Sequence, residues 1–136
     1  MRFDTKIAVA LRADLPVWQK LNITAFTVSG LAATDPAIVG EPYEDASGQT
    51  YLPMFRQPVL VFAGAAADLR RAYERAMERG MRLSIFTEEL FATGHDEANR
   101  AAVKAVPSAE LNLVGMALRG ERKEVDKILK GLTLHG

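Results

Sequence analysis

The chain has 136 residues, of which 25% are charged and 49% hydrophobic; seventeen basic side chains balance seventeen acidic ones, and there is no cysteine. That length fits one domain able to bury its own core. The composition excludes disulfides, thiolate metal sites and a cysteine nucleophile, fits a reducing cytoplasm, and lacks the basic excess that drives non-specific nucleic-acid binding.

No stretch approaches the roughly 18 uninterrupted apolar residues of a membrane-spanning helix. Met1-Arg2-Phe3-Asp4 leads straight into a strand pattern, which reads as leaving no room for a secretory signal. The first strand is expected over Lys6–Arg12. Its run from Ile7 to Leu11 is apolar without a break, the pattern of a strand covered on both faces. Asp14-Leu15-Pro16 punctuates, with Asp14 as the expected N-cap of a helix over Pro16–Ala33. Trp18, Leu21, Ala25, Val28 and Ala32 form one stripe, and Ile23, Phe26 and Leu31 add apolar surface on other sides. A helix apolar around its circumference is expected to be well buried. Its small residues (Ala25, Ser29, Gly30, Ala32) would let another backbone approach closely, so this helix, or a sheet edge, offers an isologous contact with a second copy.

Residues 40–57 form the main irregular segment, flanked by Ile38-Val39 and Tyr51-Leu52 as a candidate short hairpin. Pro58–Ala63 reads as a second central strand. A helix over Ala66–Arg79 follows, with Leu69, Ala72, Tyr73, Ala76 and Met77 inward. A third strand is expected over Met81–Thr87, a short helix over Asp96–Val106, a fourth strand over Glu110–Leu118 and a last helix over Glu121–Lys130. Leu132-Thr133-Leu134 is expected to pack back as an extended tail. This alternation argues for an α/β domain spanning 1–136, with three α-β-α layers and a four-stranded mixed sheet.

Candidate ligand-binding residues are Arg12, Asp14, Lys20, Thr87 and Glu88. Arg12 and Asp14 stand where a buried strand becomes a helix, the junction where open α/β sheets bind ligands. The plainer reading is an ion pair that shapes the turn. Lys20, one turn into the helix, is either a surface lysine or an anion contact. Thr87 and Glu88 follow the third strand and are read as a helix start or as polar groups on the same sheet edge as Asp14. Glu88, Glu89 and Asp14 lack the spacing of a metal site, and nothing calls for a cofactor. His95 reads as a solvated turn residue and the penultimate His135 as mobile. The Gly64-Ala65-Ala66-Ala67 turn lacks the second glycine and the lysine of a phosphate loop.

The opening strand with Arg12-x-Asp14-Leu15, the closing Leu111–Leu118 strand, the Glu121–Lys130 helix and the Leu132–Leu134 tail resemble the type 2 peptidyl-tRNA hydrolases. The chain looks closest to an uncharacterised bacterial family sharing that fold. The resemblance implies that Lys20 matches the lysine of the hydrolases' pre-helix turn. Asn22 stands at their next lysine, Phe26 at their glutamine and Ser29 at their histidine. Phe86-Thr87-Glu88-Glu89-Leu90-Phe91 stands where they carry aspartate-alanine-glycine-x-threonine-glutamine. Only Arg12, Asp14 and Lys20 transfer. The expected function is therefore a binding or regulatory protein for a small ligand, not a partner of nucleic acid or membrane. The alternative is a hydrolase acting through another residue set, such as Lys20, Thr87 and Glu88, in a pocket at the ends of the first and third strands.

Overall fold

The computed structural model describes residues 3–136. Its elements in chain order are β1 (Thr5–Arg12), α1 (Val17–Thr34), β2 (Tyr43–Glu44), β3 (Thr50–Tyr51), β4 (Val59–Gly64), α2 (Ala66–Glu78), β5 (Leu83–Thr87), α3 (Asp96–Lys104), β6 (Leu113–Glu121), α4 (Arg122–Ile128) and β7 (Thr133–Leu134). The main sheet has five strands, in the order β5-β6-β1-β4-β7. β1 runs parallel to β4 and antiparallel to β6. β5 is antiparallel to β6, and β7 to β4. The expected mixed sheet is present, but it is five-stranded rather than four-stranded, because the C-terminal tail pairs with β4 as a true edge strand. None of the helices among the described residues is long and apolar enough to cross a membrane.

β1 is central, as its composition predicts: Ile7, Ala8, Val9 and Ala10 are fully buried. Side chains alternate between the two faces of a strand. Ala8 and Ala10 join one core with Leu69 and Ala72 of α2 and Val125 and Ile128 of α4. Val9 and Leu11 join the other core with Ile23 of α1, Phe86 and Val114.

α1 departs from expectation. It is not well buried: only Ile23 and Thr27 lie in the core, while Val17, Trp18, Leu21 and Phe26 are each more than half exposed. The helix meets the sheet along Ile23 and Thr27; of the expected stripe, Val28 packs against this core while Trp18, Leu21 and Ala25 are exposed. Among the described residues no further helix of this length lies on that face to cover its outer side; Leu90 and Phe91, from a 3-10 turn at Glu88–Ala92, join Val28 and Leu31 of α1 and Val59 and Val61 of β4 against the core there. Two glycines let α1 sit close. A methyl group on Gly115 of β6 would overlap Ile23 Cγ2, and one on Gly30 would overlap Ser84 Oγ of β5.

On the opposite face Met77 is a second correction. It is 47% exposed, one step off the buried line of Leu69, Ala72, Tyr73 and Ala76. β5 begins at Leu83, and β6 begins at Leu113 and runs on to Glu121, after a 3-10 turn at Ser108–Glu110. In the 40–57 segment the hairpin pairs Tyr43 with Tyr51 and Glu44 with Thr50, while Val39 bridges Phe55 instead of the expected Tyr51-Leu52. Asp45 closes this turn. Its carboxylate accepts from the Ser47 and Gln49 N–H groups and from the Tyr51 hydroxyl at 2.7 Å.

Candidate functional site

β1 and β4 run parallel and end together. Arg12 is in register with Gly64, and the Ala13 N–H donates to the Gly64 carbonyl at 2.8 Å. Both chains then turn into helices, α1 and α2, so two strand ends and two helix starts share one rim. Between them lies a crevice of about 750 Å³, lined by Arg12, Asp14, Lys20, the Gly64–Ala66 turn and residues 133–136.

Arg12 Nε donates to Asp14 Oδ1 at 2.7 Å. Arg12 is mostly covered and Asp14 mostly open, so the pair fixes the guanidinium more than it stores energy. Asp14 does not cap α1. The N-cap is Pro16, which offers no side-chain bond, and the Asp14 carboxylate two residues earlier is turned to Arg12 instead.

Lys20 Nζ lies 3.0 Å from His135 Nε2. An ammonium only donates, so Nε2 accepts and the neutral imidazole carries its proton on Nδ1. Nδ1 in turn faces the Gly136 oxygen at 2.8 Å. The backbone holds His135 in place: β7 pairs with β4, and the His135 N–H donates to the Val61 carbonyl at 2.9 Å. The reading of the penultimate His135 as mobile is thus corrected by the β4–β7 pairing. The signal was the extended Leu132–Leu134 tail, whose partner strand the sequence does not name. At the start of α2, Asp68 accepts from the Ala65 N–H at 3.1 Å and pairs with Arg71, so its charge is satisfied within its own helix turn.

Thr87 and Glu88 lie elsewhere. β6 intervenes between β5 and β1. Thr87 is buried at 2% exposure, while Glu88 accepts from Asn112 Nδ2 at 2.6 Å and its N–H donates to the Asn112 carbonyl. The structure therefore brings Arg12, Asp14 and Lys20 together and leaves Thr87 and Glu88 out of the crevice, which opens between β1 and β4 and not between β1 and β5. A smaller cleft of about 250 Å³ lies beside α1, where Trp18, Phe26, Phe86 and Phe91 meet. These aromatics are scattered along the chain, and no local pattern unites them.

Residues 5–136 match a family described as proteins of unknown function, DUF2000. A solved structure of a protein of unknown function from Agrobacterium tumefaciens strain C58 is 51% identical, over 99% of this chain and 100% of that one, with a TM-score of 0.96. No curated protein matches the chain. By the extent of the family match and the identity to this relative, the chain belongs to the DUF2000 family of proteins of unknown function.

Proposed function

We propose that the protein is a small cytoplasmic binding or regulatory protein, with a fold like that of the type 2 peptidyl-tRNA hydrolases, that holds a small anionic ligand in the crevice. One observation carries this reading: the cations Arg12 and Lys20, the latter steadied by the neutral His135, converge on the rim where α1 and α2 begin. Unpaired N–H groups at helix starts favour negative charge, and nearby cations add to that preference. Arg12 is pre-positioned by Asp14. Lys20 exchanges one neutral acceptor, His135, for a phosphate or carboxylate oxygen.

The same resemblance argues against retained hydrolysis. Phe26, at the hydrolases' glutamine position, packs edge-to-face on Phe86 with ring centroids 5.9 Å apart. Ser29, at their histidine position, donates its hydroxyl to the Phe26 carbonyl of its own helix. Neither is disposed to shuttle a proton.

Titration calorimetry with inorganic phosphate tests the reading. Binding is expected, and Lys20→Ala should weaken it roughly tenfold or more, the value of one charge-assisted hydrogen bond. Absence of binding, or binding unchanged in Lys20→Ala, sinks the proposal. Robust peptidyl-tRNA turnover that is lost in Lys20→Ala would favour the alternative, a hydrolase working through a different residue set.

A further inference from the structure

The aromatic cleft shares no lining residue with the crevice and has a different chemistry. Its floor is a chain of rings. Trp18 stands edge-to-face to Phe91 at 5.7 Å, Phe91 lies against Phe86 at 5.0 Å, and Phe86 meets Phe26 at 5.9 Å. Phe86 is buried, whereas Trp18 and Phe26 are more than half exposed at the lip. The rings meet edge-to-face or tilted, at 69°, 73° and 46°, so they offer alternating edges and faces that a further aromatic ring extends better than a spherical quaternary ammonium, which needs opposed ring faces.

The rim supplies direction. His95 caps α3, and its Nδ1 accepts from the Ala98 N–H at 3.2 Å. The proton of the neutral ring is therefore on Nε2, which is a donor. The Thr93 hydroxyl lies against Asn99 Oδ1, which leaves the Asn99 amino group as a second donor. Asn22, one turn along α1 from Trp18, adds an amide of both kinds. Among the described residues no lysine or arginine lines the cleft, and the one carboxylate there, Asp96, is paired with Arg100. This arrangement selects a neutral ligand that carries an acceptor. A volume of about 250 Å³ is just under the span of drug-sized sites, so one ring system fills it.

We propose that this cleft is a second binding site, one that takes a planar, uncharged aromatic ring bearing a carbonyl at its edge, with the ring against Phe91 between Trp18 and Phe26 and the carbonyl toward His95 and Asn99. Trp18 is the sole tryptophan of the chain, so its fluorescence reports occupancy of this cleft directly. The probe is benzamide, with cyclohexanecarboxamide and benzoate as controls. Benzamide should produce a saturable change in Trp18 emission. The saturated ring should bind roughly tenfold more weakly, having lost its aromatic contacts, and benzoate should bind more weakly for want of a cation.

Phe91→Ala should abolish the response. Asn22→Ala, an exposed substitution that leaves the core intact, should weaken it severalfold, and Lys20→Ala should leave it unchanged. No saturable response up to the solubility of benzamide overturns the proposal, as does equal affinity for the saturated carboxamide. A Trp18 signal that follows protein concentration instead of benzamide also overturns it, and would assign this face to a second copy of the chain.

Discussion

Lys20 and His135 meet across the crevice at 3.0 Å although 115 residues separate them. The contact needs an unprotonated Nε2, so the imidazole acts as a neutral acceptor that steadies a cation. Both side chains are near the surface, where such a contact contributes little to stability. His135→Ala is expected to lower the unfolding free energy by less than about 1 kcal/mol in urea titrations. It should also leave phosphate affinity within a few fold of wild type, because the formal charge resides on Lys20.

The facing of α1 can be tested by two truncations of nearly equal size. Ile23 is fully buried against β6, whereas Leu21 is 66% exposed. Ile23→Ala should cost about 2–5 kcal/mol. Leu21→Ala should stay within about 0.5 kcal/mol of wild type. Chemical denaturation of both variants checks this, and equal losses would mean that the outer face is covered.

Gly30 and Ser84 form a size-matched pair. A methyl group on Gly30 would overlap Ser84 Oγ but would sit at an ordinary 3.5 Å from Ser84 Cβ. Gly30→Ala alone should destabilise by about 1–3 kcal/mol through overpacking. In a Ser84→Ala background the obstacle is gone, and the same change should stabilise by up to about 1 kcal/mol, the helix preference for alanine over glycine. A double-mutant cycle in urea reads this sign reversal.

Asp45 titrates abnormally. The Tyr51 hydroxyl, followed by the Gln49 N–H, favours its ionised form and holds its carboxyl below the usual range, and the same hydrogen bond pushes the Tyr51 phenol up. A depressed carboxyl stabilises the folded turn above the pH at which the unfolded carboxyl titrates, and that contribution is lost as the pH falls through the folded value. Tyr51→Phe should raise the Asp45 midpoint toward the ordinary value. Carbon-detected NMR titration of the side-chain carboxyl measures the change.

Much of this architecture is local and therefore legible in the sequence. The unbroken run Ile7–Leu11 marks a strand enclosed on both faces, because only such a strand tolerates apolar groups at every position. Pro16 marks the start of α1, and Asp35-Pro36 its end. Arg12, Asp14 and Lys20 could be placed near one rim because a strand-to-helix corner sets their spacing within a few residues.

Other features rest on contacts between distant segments. The apolar residues around α1 do not reveal which side meets the sheet. That was decided by the close approach permitted at Gly115 and Gly30. Thr87 and Glu88 reach the same end of the sheet as Asp14, yet β6 inserts between their strands. His135 reaches Lys20 only because β7 pairs with β4, and Trp18, Phe26, Phe86 and Phe91 become one surface only when α1 settles on β5 and β6. Propensity and periodicity act over a few residues. Strand order and side-chain convergence are set by how whole elements pack, which no short stretch of the chain encodes by itself.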